Sequence, residues 1–147
     1  MNSPQKVALL LLRLGLGWFF FYSGLSKFLN PEFTAAGFLE GAKSMQPIYE
    51  WFSSSTNIGW VNFLNIWGQM AIGAGLMAGL LVRPASFFGI LLMLLYYFPG
   101  LEFPYIEHGF LVDSHILYIF AFLVLYTFRA GEVWGLDLKI LGKKDTK

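Results

Sequence analysis

The sequence has no cysteine among its 147 residues. That excludes disulfides, thiolate nucleophiles, Cys-ligated zinc, iron–sulfur clusters and C-x-x-C-H haem attachment. It leaves the redox poise of the compartment open. Charge is also scarce. Charged residues make up 13% of the chain, whereas a soluble domain carries roughly 25%. Net charge is +1 and the basic residues are scattered, so no basic patch exists to displace phosphate counterions, and a nucleic-acid partner is not expected. Histidine occurs twice, as His108 and His115. Only His115 falls on an apolar run, so a b-type haem would lack its second axial ligand. Glu102, Glu107 and His108 lie close in sequence, but their spacing fits no metal motif. No flavin motif is visible. Neither haem, flavin nor metal is expected.

Apolar residues are abundant, at 56% of the chain, with 19% aromatic. They gather into four continuous runs: residues 7–29, 58–82, 85–101 and 110–128. Each approaches the roughly 20 residues that a helix needs to cross a bilayer. Backbone polar groups in lipid must be satisfied within the segment, so each run reads as a helix. Continuous runs without period-two alternation exclude a barrel. The expected fold is therefore all-α: a single polytopic membrane domain over residues 1–147, a bundle of four transmembrane helices. The first run is too long for the apolar core of a signal peptide, and Lys27 interrupts the approach to any cleavage site, so it is read as retained.

Basic residues orient the bundle. Lys6, Arg83, Arg129, Lys139, Lys143, Lys144 and Lys147 fall on one side of four spans, and Lys27 and Lys43 on the other. Both termini are expected in the cytoplasm, with a basic tail over residues 139–147. Arg83-Pro84 is expected to form the tight cytoplasmic turn. The long outer loop, residues 30–57, is expected to hold short interfacial helices, one starting at the cap-like Asn30-Pro31-Glu32 and ending at Pro47.

Polar residues inside the runs carry the functional information, because an ionisable group in the bilayer costs a few kcal/mol. Arg13, Gly17, Gly24 and Lys27 recur on one helical face. Arg13 and Lys27 either snorkel to opposite headgroup layers or face the bundle interior. Asn62, Asn65, Gln69 and Gly73 form a polar stripe on the second run, as interhelical glue or as ligand contacts. Gly75-x-x-x-Gly79 offers close helix packing, within one chain or between copies in a homo-oligomer. Asp113 or Ser114 caps the fourth run, where His115, Tyr118, Tyr126 and Arg129 share a face. His115 is either an interface residue or a proton-handling group. Tyr96 and Tyr97 end the third run, as belt residues or as part of a site. The candidate ligand contacts are Arg13, Lys27, Asn65, Gln69, Tyr96, Tyr97, His115 and Tyr118. The candidate catalytic groups are His115, Asp113 and Lys27.

Several motifs in order resemble the DoxX/DoxD family: Leu12-Arg13-Leu14-Gly15, Ser23-Gly24-Leu25-Ser26-Lys27-Phe28, Thr34-Ala35-Ala36-Gly37-Phe38-Leu39, Arg83-Pro84-Ala85, Leu94-Leu95-Tyr96-Tyr97, Asp113-Ser114-His115 and Gly135-Leu136-Asp137. The resemblance is strongest to DoxD-type membrane subunits of thiosulfate:quinone oxidoreductase, a prokaryotic enzyme that oxidises thiosulfate to tetrathionate and passes the electrons to quinone. It implies a multi-pass protein of a prokaryotic plasma membrane, quinone as electron acceptor and a second oxidoreductase subunit as partner beside the lipid bilayer. A non-catalytic scaffold or small-molecule binder that anchors a redox or stress-response partner is the alternative. A transporter fits less well, since no broken helix or inverted repeat is visible.

Overall fold

The computed structural model describes residues 1–106 and 109–141. Glu107, His108, Lys143, Lys144 and Lys147, named above, lie outside the described residues. The chain is mostly helical. Helix α1 spans Ser3–Phe28, α2 Ala36–Glu40, α3 Gln46–Ser53, α4 Ile58–Ala78, α5 Val82–Gly100, α6 Ser114–Thr127 and α7 Leu136–Leu141. Between α5 and α6 lie three two-residue strands, β1 Leu101–Glu102, β2 Tyr105–Ile106 and β3 Gly109–Phe110. They pair antiparallel in the order β1-β2-β3, with Leu101 opposite Ile106 and Tyr105 opposite Phe110.

Helices α1 and α5 are long and apolar enough to cross a membrane. Helix α4 is 21 residues long, but Asn62, Asn65 and Gln69 dilute its apolarity. Helix α6 is apolar and 14 residues long.

Helix α1 starts earlier than its apolar run because Asn2 and Gln5 form a reciprocal capping box, with Pro4 in the first turn. Its inner face, Leu9, Arg13, Leu16, Gly17, Phe20 and Gly24, is buried. It packs mainly on α4, where backbone meets backbone. A Cβ on Gly73 would stand 2.3 Å from the Phe21 amide nitrogen, so only glycine allows this approach. The core continues through Leu76, Val82, Met93, Phe122 and Leu125.

Several boundaries differ from the expectation. The turn after α4 is made by Gly79, at φ 66°, and Leu81, at φ 53°. Arg83 already lies in α5, and Pro84 stands in the first turn of that helix as the sequence suggests. Gly79 is thus a helix terminator and not half of a helix-packing pair. The α1–α4 contact uses Gly17, Gly24 and Gly73 instead. Helix α6 begins at Ser114 with Asp113 as its cap, one of the two caps expected, its side chain accepting from the Ile116 amide at 3.2 Å; the apolar run from residue 110 precedes the helix. In the long loop, Asn30 bonds the Glu32 amide two residues on, at 3.1 Å. That closes a turn and does not start a helix. Pro47 sits in the first turn of α3, where its missing N–H costs nothing, so it opens a helix and does not end one.

Candidate functional site

The Lys27 side chain leaves the last turn of α1 and is half-buried against α4 and α5. Its ammonium donates to Asn65 Oδ1 at 2.7 Å, Gln69 Oε1 at 2.9 Å and the Tyr96 hydroxyl at 3.0 Å. All three of its hydrogens are therefore used. The stripe on α4 explains the geometry, because Asn65 and Gln69 are one turn apart and present both amide oxygens to one point. Ser23 Oγ donates to Gln69 Oε1 at 3.2 Å from α1. The Phe33 and Tyr96 rings stand 5.4 and 5.3 Å from the ammonium, within cation–π range. Asn62, the outermost member of the stripe, instead ties down the loop. Its Oδ1 accepts from the Ala35 amide at 2.9 Å.

Beside this cluster, α4 and α5 part to leave a groove of about 420 Å³. Its walls are almost entirely apolar, and α2 and α3 roof it with Phe38, Leu39, Tyr49 and Phe52. The polar side chains on its wall include Asn65 and Tyr96, the two that join it to Lys27. Tyr96 accepts from Lys27 and, at 3.4 Å, from Gln69 Nε2. Its own phenolic proton is used in neither bond.

The roof is held by a substitute hydrogen bond. Pro99 inside α5 has no N–H for the Leu95 carbonyl one turn back. The buried Tyr49 hydroxyl donates to that carbonyl at 3.0 Å. Ser44 Oγ and the Lys43 amide bond the carbonyls of Phe98 and Pro99 in the same way. Burial pushes the Tyr49 phenol up to about 12.

The remaining candidates divide. His115 joins the edge of the cluster: its ring meets Tyr96 edge-on at 6.1 Å, and its Nδ1 is tightly bonded to Asp113 Oδ2. Tyr97, next to Tyr96, points the other way and donates to the Leu111 carbonyl at 2.7 Å. Tyr118 packs against Phe19 and Phe20 on the α1 side. Glu102 pairs with Lys43 on the surface at 2.9 Å.

Arg13 stands apart, about 21 Å along α1 from Lys27 at 1.5 Å per residue. It is 2% exposed. Its Nη1 donates to the carbonyls of Ala130 at 2.6 Å and Val133 at 3.0 Å. Asp137 is the opposite charge beside it. That carboxylate accepts from the amides of Leu81 at 2.7 Å and Val82 at 3.0 Å, capping α5 from outside the helix. Sequence reasoning had carried Asp137 only within a resembling motif. The acid after Trp134-Gly135, following the end of the apolar runs, was the available sign of a partner for Arg13.

A protein-family model, DoxX, matches residues 8–99, well over half of the chain and all of the Lys27 cluster. The Asp113–His115 pair lies beyond the matched segment. No curated protein and no solved structure matches the chain.

Proposed function

The chain belongs to the DoxX family of membrane proteins, and on that footing we propose that it is the membrane subunit of a quinone-linked oxidoreductase, with quinone bound in the groove between α4 and α5. In this reading α1, α4, α5 and α6 are the four spans. Each turns large apolar side chains outward, such as Trp18, Phe63, Phe87 and Phe120, all more than half exposed. Such side chains suit lipid and not water. The ends of the helices nearest Lys6, Arg83 and Arg129 face the cytoplasm, by the excess of basic residues there.

One observation carries the ligand assignment. An apolar groove of about 420 Å³ meets a wall from which Tyr96 presents a phenolic donor, backed by a cation. A quinone is a greasy ring and tail with carbonyl acceptors, and most of such a ligand is recognised by apolar walls and a few fixed polar groups. The Tyr96 hydroxyl bonds the carbonyl. Reduction to quinol takes two electrons and two protons, and the Lys27 ammonium behind Tyr96 stabilises the negative charge that develops on that oxygen. The Asp113–His115 pair beside Tyr96 handles the protons. The sulfur substrate follows from the resemblance to DoxD-type subunits. Two thiosulfates couple to tetrathionate and release the two electrons, on a partner subunit that supplies the electron carrier.

The test is quinone-dependent thiosulfate oxidation in membranes that contain this chain and its partner. Gly68 lines the groove, and a Cβ there meets nothing within 4 Å, so Gly68→Leu fills the space without moving backbone. Gly68→Leu and Tyr96→Phe are each expected to lower quinone turnover at least tenfold while the protein remains folded. Unchanged turnover in both would leave the chain a scaffold, the reading that its lack of cysteine and haem ligands favours.

A further inference from the structure

At the opposite end of the helices a second groove, of about 490 Å³, opens between the start of α5 and the end of α6. Leu81, Phe87 and Phe88 form its apolar side, and Arg83 and Arg129 flank it. Phe87 and Phe88 are 57% and 56% exposed. The Arg83 guanidinium lies over the Tyr126 ring at 4.7 Å. That stacking fixes the plane of the group and leaves its N–H edges free to donate. Arg129 follows α6 with φ 48°. Its guanidinium meets Glu132 at 3.4 Å, an exposed pair worth little in water.

The acids nearby do not neutralise both arginines. Asp137 also borders the groove, but it is 5% exposed and its two oxygens are taken by the Leu81 and Val82 amides. Among the described residues that border the groove, Glu132 is the one remaining carboxylate against two guanidinium groups. A net positive charge therefore sits at the rim of an apolar surface, at the level where a membrane helix meets the headgroups.

We infer that this groove binds an anionic phospholipid, its phosphate held by Arg83 and Arg129 and its acyl chain laid along Phe87 and Phe88. Guanidinium forks match phosphate oxygens in geometry and charge. A zwitterionic lipid would bring its own cation against the same arginines. The site shares no polar residue with the Lys27 cluster, and Phe88 alone borders both grooves.

The full-length protein, purified in mild detergent, is mixed with equal amounts of phosphatidylglycerol and phosphatidylcholine of matched chains. Native mass spectrometry then counts the lipid retained. One phosphatidylglycerol should be kept over phosphatidylcholine by about twenty-five-fold, roughly fivefold for each arginine near a charged surface. The paired change Arg83→Gln and Arg129→Gln should bring the ratio near one. Arg83→Lys with Arg129→Lys should keep most of it, and Lys43→Gln at the far end should leave it unchanged. Equal retention of the two lipids by the wild type, or a preference that survives the paired Gln change, overturns the assignment. Should the Gln variant not fold, the wild type in rising salt gives the same reading. A preference that falls with salt supports the site, and one that ignores salt overturns it. Displacement of the lipid by inorganic phosphate alone would also overturn it, in favour of a site for the free anion.

Discussion

Helix α1 carries two cations on one face, and the protein treats them oppositely. Arg13 is sealed among main-chain carbonyls with Asp137 as its counter-charge. Lys27 is held by neutral side chains, two of which also line a groove. A charge tied to backbone fixes where chain segments go, since its partners cannot turn away. A charge tied to side chains on the wall of a cavity can exchange those partners for a ligand. Burial alone would rank Arg13 as the stronger candidate for function. The identity of the partners reverses that order.

The sharpest way to break this contrast is Arg13→Met. The change leaves the Ala130 and Val133 carbonyls and the Asp137 charge without their partner. Leaving two buried carbonyls without their donor costs about 1–3 kcal/mol for each, measured as a fall in thermal unfolding temperature in detergent. A smaller loss than about 1 kcal/mol would mean that Arg13 is not structural. Asp137→Asn comes next. The amide oxygen still accepts from one of the two α5 amides, but the charge opposite Arg13 and the second bond are lost, about 1–3 kcal/mol. Because both residues serve one network, the double variant should lose less than the sum of the two singles.

The two ends were not equally legible. The Lys27 partners could be read because polar residues in an apolar run are conspicuous, and Asn65 and Gln69 recur at the spacing of a turn. Asp137 could not be assigned in the same way. It lies past the last run, where an acid carries no membrane cost, and its place after Trp134-Gly135 was the one sign of it. Short motifs misled where their context decides. Pro47 follows Gln46 as readily at a helix start as at an end, and Asn30 caps a turn of its own. The three short strands after α5 are too brief to show alternation. The groove was illegible for a different reason: its walls are the same apolar side chains that face lipid, and only the placement of α2 and α3 makes a cavity of them.

That placement has its own test, of smaller size. Tyr49→Phe removes the hydroxyl that satisfies the Leu95 carbonyl, at a cost of about 1 kcal/mol. The phenol also predicts a pH dependence. Tyrosine ionises at 10.0 ordinarily, and burial raises Tyr49 to about 12. The folded state thus favours the neutral form. Its contribution is whole below about pH 10 and is lost as pH rises through about 12. Alkaline unfolding of the wild type should steepen over that window, and Tyr49→Phe should flatten it.

The smallest expected effect on stability belongs to Lys27→Met, and it is the one that decides the contrast. Methionine fills much of the lysine's volume and removes a desolvated charge, a replacement that is often close to neutral. The Gln69 amide keeps Ser23 and Tyr96 as partners, and the one oxygen that loses its donor, Asn65 Oδ1, is on a half-buried side chain of the groove wall. Stability should change by less than about 1 kcal/mol, against several for Arg13→Met. Quinone binding, followed by quenching of intrinsic fluorescence on titration with a short-chain quinone, should nonetheless weaken at least tenfold, because the donor at Tyr96 loses the cation behind it. If Lys27→Met instead unfolds the protein as Arg13→Met does, the two cations are the same kind of tie and the groove has lost its argument for a ligand. If it stays folded and binds as before, Tyr96 works without Lys27, and the cluster is interhelical glue beside an unrelated cavity.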